Sequence, residues 1–137
     1  MTISNAGGNE YWPAPTPSGP VKATVLLPAP KSPTSRAFVI WTIAHSPTKI
    51  SGALASRDTY LAAKAMVTLG AEFVFDDGPR SLTIMPASRL RGGSTIDCGQ
   101  AGTVMRFGSA LAAFADGKTT LVCDPSAESR PITPLMD

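Results

Sequence analysis

Apolar residues recur along this chain at two different spacings, and the alternation between the spacings sets the expected order of elements. Leu61, Ala65, Met66 and Leu69 stand three and four apart, with Ser56 in front and Gly70 behind. A hydroxyl cap, a single apolar face and a closing glycine together predict a helix there. A second helical face, Val104, Phe107, Leu111 and Phe114, follows the loop from Gly99 to Gly102. A third helix is expected over residues 33–45, with Ser32 as N-cap and Pro33 at the first helical position. Shorter runs rich in β-branched and aromatic residues read as strands: VKATVLL (21–27), TKISGAL (48–54), AEFVFDD (71–77), RSLTIMP (80–86), STIDCG (94–99) and KTTLVCD (118–124). Asp77, Gly78 and Pro79 form the expected turn between the third and fourth of these. SRPITPLMD, at residues 129–137, predicts the start of one more helix. The first twenty residues, with Pro13, Pro15, Pro17 and Pro20 among Gly and Ser, read as a flexible arm.

Strands and helices in this order give an α/β chain, and part of the order occurs twice. Ser32-x-x-x-Arg36, an apolar helix, Lys49, a strand and then Ser56-Arg57 correspond to Gly102-x-x-x-Arg106, an apolar helix, Lys118, a strand and then Ser129-Arg130. Arg36 and Arg106 are 70 positions apart. The second copy stops before the strands that complete the first, so a truncated product is expected.

The repeat carries the candidate chemistry. IDCGQAGTVMRF, residues 96–107, runs from strand through a glycine loop into a helix. Glycine lets backbone approach a ligand closely, and the N–H groups of a helix start point at whatever lies ahead of it. Three predicted helix starts pair a small or hydroxyl residue with a cation: Lys31-Ser32-x-x-x-Arg36, Gly102-Thr103 and Ser129-Arg130. Converging, they would hold a ligand bearing several negative charges. Taken singly, each also reads as an ordinary solvated helix start or tight turn, and Arg106 as a partner for an acid. Cys98 and Cys123 read as small buried strand residues, His45 as an exposed helix end, and Asp58 as a partner of a helix dipole.

Composition narrows the ligand class. The 137 residues, 43% hydrophobic, amount to about one domain of core-forming chain. A formal charge of +2, from 12 basic and 10 acidic residues without a basic run, argues against a nucleic-acid partner, so anion specificity has to be local. Two cysteines and one histidine supply neither a disulfide scaffold nor a metal set. No run spans a membrane and the start lacks the pattern of a signal peptide, so a soluble chain in the reducing cytoplasm is expected.

Taken together, LPAPKSPTSRAF, SGALASRDT, IDCGQAGTVMRF and SRPITPLMD resemble the amino-terminal part of the EPSP synthase (3-phosphoshikimate 1-carboxyvinyltransferase) family. The opening WPAP is similar to the actinobacterial branch of that family. The related UDP-N-acetylglucosamine enolpyruvyl transferases typically carry Lys-Asn where this chain has Lys31-Ser32, and they lack the SRDT block. The other reading is a stand-alone, non-catalytic anion-binding module.

The resemblance implies βαβαββ units packed as an inside-out α/β barrel, helices inward and sheets outward, here truncated to one unit and part of a second over residues 28–137. It implies that residues 21–27 form a strand of the other, missing domain. It also implies transfer of the enolpyruvyl group of phosphoenolpyruvate to the 5-hydroxyl of shikimate 3-phosphate, with no cofactor or metal and as a monomer at full length. Residue by residue, Ser32 and Arg36 would bind shikimate 3-phosphate, Gly102 and Arg130 phosphoenolpyruvate, and Lys31 both. The acid/base carboxylates belong to a carboxyl-terminal region that this chain, roughly a third of the usual length, does not contain. The family usually has Pro-Gly-Ser where Pro28-Ala29-Pro30 stand, and Asn where Ser35 and Gln100 stand.

Overall fold

The computed structural model describes residues 3–4, 10–11, 14–76, 78 and 80–130. Within the proline-rich arm, β1 (Ile3–Ser4) pairs antiparallel with β2 (Glu10–Tyr11). Residues 14–28 are then exposed and irregular, including the stretch 21–27 expected as a strand. A strand exists only through its neighbour's hydrogen bonds, and residues 21–27 have no ladder partner among the described residues. Their apolar side chains are left in solvent, Leu26 at 95% exposure.

Helix α1 (Lys31–Thr42) begins and ends earlier than the sequence suggests. Pro30, not Ser32, is the N-cap, and Ser32 and Pro33 fall at the second and third helical positions. The first three N–H groups of a helix have no intrahelical acceptor, so Pro33 costs nothing there. The first closing contacts come from Thr34, whose N–H and hydroxyl both reach the Pro30 carbonyl. At the far end Ile43 caps the helix, and His45 is exposed as expected. Pro47 disfavours helical backbone just before it, which helps to stop the helix short of residue 45.

After β3 (Thr48–Ser51) comes α2 (Arg57–Thr68), where the expected cap is present in full. The Ser56 hydroxyl accepts from the Thr59 N–H, and the Thr59 hydroxyl accepts from the Ser56 N–H. Gly70 ends the turn with φ of +112°, a value that strains any residue with a Cβ. Only Arg57, Tyr60, Lys64 and Val67 form an exposed stripe on α2. Apart from the partly buried Asp58 and Thr68 the rest of its surface is buried, with alanines at 62, 63 and 65 allowing close approach of its neighbours. This is the central helix, packed on α1, α3 (Gly102–Ala112), β4 (Glu72–Phe75) and β6 (Thr95–Asp97).

Strand β5 (Ser81–Met85) lies between β3 and β4 and runs antiparallel to both, burying Leu82 and Ile84 against the helices. Asp77 and Pro79 of the expected turn lie outside the described residues. Strand β6 leads through α3 to β7 (Thr120–Val122), which pairs parallel with β6. From α1 onward the order is therefore αβαββ and then βαβ, which matches the expected units apart from the unpaired first strand.

Two expectations in the second half need correction. The inner face of α3 is Val104, Met105, Gly108 and Leu111, with Phe107 only half-buried. Phe114 lies past the helix end and is 81% exposed. Val104 and Leu111 of the expected face point inward as expected, but Met105 and Gly108 take the places given to Phe107 and Phe114. The described helical turn near the end is α4 (Pro125–Glu128), with Asp124 at the N-cap position but no side-chain cap, so Ser129 and Arg130 follow a helix end. The helix expected from SRPITPLMD falls, from residue 131 on, outside the described residues.

Candidate functional site

The amino ends of α1 and α3 open on one cleft of about 400 Å³, lined by Lys31, Asp58, Gln100, Gly102, Thr103, Arg106 and Arg130. Neither helix has a side-chain cap, since Pro30 and Ala101 stand where a hydroxyl or carboxylate would serve. The N–H groups of Gly102 and Thr103 consequently find no acceptor among the described residues. Three cations line the cleft against a single carboxylate, and free N–H groups at a helix end add to the positive potential.

Each wall is held by identifiable contacts. Lys31 Nζ lies 2.7 Å from Asp58 Oδ2, joining the start of α1 to the first turn of α2. Asp58 thus acts on the α2 dipole as expected and on Lys31 as well. The Gly99–Gly102 loop is fastened from the side of residues 124–130. The Asp124 N–H donates to the Gly99 carbonyl at 3.0 Å, and Arg130 Nη1 donates to the Gln100 carbonyl at 2.7 Å. Arg57 pairs with Asp124 at 3.1 Å and lies against Gly99, whose φ of +48° is left-handed. Arg130 crosses directly over Gly102, where a Cβ would stand 3.1 Å from Nη1.

Of the sequence-derived candidates, the cleft gathers Lys31, Gly102 and Arg130. Ser32 and Arg36 lie on α1 outside its lining. Arg36 is exposed with no ion-pair or hydrogen-bond partner among the described residues. Arg106, read from sequence as a partner for an acid, has no such partner among the described residues and lines the cleft. The repeat gave no signal of this, since it makes Arg36 and Arg106 equivalent; in the structure Arg36 is the sixth residue of α1 and Arg106 the fifth of α3, which turns them about 100° apart on their helices. Ser35 is 1% exposed, and its hydroxyl has no partner.

Against this geometry stand the likenesses to known proteins. The family profile for EPSP synthase (3-phosphoshikimate 1-carboxyvinyltransferase) matches residues 15–137. This chain belongs to the EPSP synthase family. It is 43% identical over 133 residues to the 3-phosphoshikimate 1-carboxyvinyltransferase of Mycobacterium ulcerans, covering 93% of this chain and 30% of that protein. Two solved EPSP synthase structures from Acinetobacter baumannii share the fold, with TM-scores of 0.66 and 0.68 at 24% identity. They cover 78% and 82% of this chain and 25% and 26% of their own. The chain thus spans under a third of the length of these family members. Among the described residues no helix is long and apolar enough to cross a membrane.

Proposed function

We propose that this chain forms one wall of an enolpyruvyl transferase site, in a protein that converts phosphoenolpyruvate and shikimate 3-phosphate to EPSP and phosphate. In that reaction the methylene carbon of phosphoenolpyruvate is protonated and the 5-hydroxyl of shikimate 3-phosphate attacks the neighbouring carbon. Phosphate then leaves the tetrahedral adduct. The substrates bring two phosphates and two carboxylates together, so the main task of a wall is to offset their repulsion and fix their approach. Lys31, the N–H groups at Gly102 and the Arg130 guanidinium would hold phosphoenolpyruvate, and Arg106 would add positive potential. Ser32 and Arg36, outside that cleft on the same helix as Lys31, would face shikimate 3-phosphate. The setting would be the cytoplasm and the full-length protein a monomer, with no metal or cofactor.

The observation that carries this reading is the convergence of Lys31, Gly102, Arg106 and Arg130 on one cleft, at a helix start whose N–H groups are free. None of the described cleft residues is a carboxylate free to move a proton, since Asp58 is engaged by Lys31. The test is phosphate release from the two substrates with the chain alone, and again with the carboxyl-terminal remainder of the Mycobacterium ulcerans relative added. Turnover is expected only in the mixture. Steady turnover by the chain alone would place the proton-transfer groups within these residues, and no turnover in either case would favour a non-catalytic anion-binding module.

A further inference from the structure

We propose that Cys98 and Cys123, the chain's only cysteines, are a modification site in which a hydroperoxide joins them in an intramolecular disulfide at the end of the β6–β7 ladder. The inference does not rest on the enolpyruvyl reading, because it concerns thiol chemistry at residues that do not line the anion cleft.

The strand register carries it. Asp97 and Val122 are the last paired residues of the parallel β6–β7 ladder, so the next step along both chains sets Cys98 beside Cys123. The Cys98 N–H donates to the Val122 carbonyl at 2.8 Å, closing the Asp97–Val122 pair, and the Asp124 N–H then donates to the Gly99 carbonyl at 3.0 Å, so the two chains still run side by side just past the end of the ladder. Residues side by side on neighbouring strands have Cα atoms about 4.8 Å apart and side chains on the same face. A disulfide takes Cα separations of roughly 4.4–6.8 Å, so little backbone movement is needed. Both cysteines also line one cavity of about 390 Å³, together with Met105, Thr119, Leu121 and Glu128. The Thr119 hydroxyl is buried without a partner and is available to a small polar oxidant entering there.

The order of reaction follows from exposure. Cys98 is fully buried, and burial first, then the neighbouring Cys123 and Asp97, push its thiol up to about 11, so it stays protonated. Cys123 is half-buried and meets the oxidant first. Its sulfur attacks one oxygen of the hydroperoxide, the O–O bond breaks, and the products are a sulfenic acid at Cys123 and an alcohol, or water when the oxidant is hydrogen peroxide. The Cys98 sulfur then attacks the sulfenic sulfur, and the departing hydroxide leaves as water with the Cys98 proton. Two thiols lose two electrons in total and the O–O bond gains them. The bridge would tie the residue before Gly99 to the residue before Asp124, the two segments that anchor the cleft loop.

The experiment treats the 137-residue chain with hydrogen peroxide, both in native buffer and in concentrated guanidinium, and maps the products by mass spectrometry. The expected product is a Cys98–Cys123 peptide lighter by two hydrogens, formed at least about tenfold faster in native buffer because the fold holds the thiols together. In Cys98→Ser the sulfenic acid at Cys123 should persist and be trapped by dimedone, while in Cys123→Ser the same dose should leave Cys98 unmodified. Equal rates in native and denaturing buffer, intermolecular dimers, or sulfinic acid as the main product of the unaltered chain would overturn the proposal. Reaction of Cys98 in Cys123→Ser as fast as that of Cys123 in Cys98→Ser would overturn the order of attack.

Discussion

Helices α2 and α3 both begin beside the cleft, yet their amino ends are finished in opposite ways. At α2 the Ser56–Thr59 box occupies the backbone donors with the chain's own oxygens. At α3 the residue before the helix is Ala101, the first residue is Gly102, and the leading N–H groups are left open beneath Arg130. The capped end contributes to stability, and the uncapped end leaves its donors for a ligand. Helix α1 resembles α3: Pro30 has no capping atom, and the N–H groups of Lys31 and Ser32 find no acceptor among the described residues.

Substitutions can break that contrast, most forcefully at the open end of α3. In a full-length enzyme carrying this sequence, Arg130→Ala removes a cation and frees the Gln100 carbonyl, and should raise the Michaelis constant for phosphoenolpyruvate about a hundredfold. An unchanged constant would mean that the open end of α3 binds no substrate. Arg36→Ala tests whether α1 and α3 serve different ligands. It should weaken shikimate 3-phosphate by about thirtyfold, the order expected for a lost charge-assisted pair, while phosphoenolpyruvate shifts far less. Equal effects on the two Michaelis constants would remove the distinction.

Gly102→Ala probes the roof over the same helix start. The new methyl would stand 3.1 Å from Arg130 Nη1, so either the guanidinium or the loop has to give way. If, as the proposed reading implies, glyphosate competes for the phosphoenolpyruvate place, it should then lose roughly tenfold in inhibition, with a smaller rise in the Michaelis constant for phosphoenolpyruvate. Inhibition that does not change would make Gly102 a turn residue alone. Ser56→Ala opens the capped end of α2 and should cost about 1 kcal/mol, read as a fall in melting temperature of a few degrees with both Michaelis constants unchanged. A changed constant would bring α2 into the site. Asp58→Asn should have the smallest effect. The Lys31–Asp58 pair is partly exposed, at 53% and 21%, so its loss should cost less than about 1 kcal/mol of stability. A large loss of stability on thermal melting would show that this pair, and not the core, fastens α1 to α2.

By itself the sequence determined those features that depend on neighbours in the chain. The Ser56 cap, the Gly70 stop, the buried face of α2 and the strands from β3 to β7 are set by period, capping chemistry and turn residues within a few positions of one another. The family motifs singled out Lys31, Gly102 and Arg130, which line one cleft, and equally Ser32 and Arg36, which do not. Tertiary structure decided the rest, because the deciding partners are distant in sequence. Pro33 is compatible with the first or the third position of a helix, and only the chain path through Pro30 chose the third. The phase of α3 was settled by which side chains met α2 and β7, so Met105 and Gly108 went inward and Phe114 did not. Residues 21–27 have the pattern of a strand, but pattern supplies no hydrogen-bond partner, and the segment is unpaired among the described residues. Arg36 and Arg106 are equivalent letters in a repeat, and a one-residue difference in where their helices begin turned one into the cleft and left the other outside it.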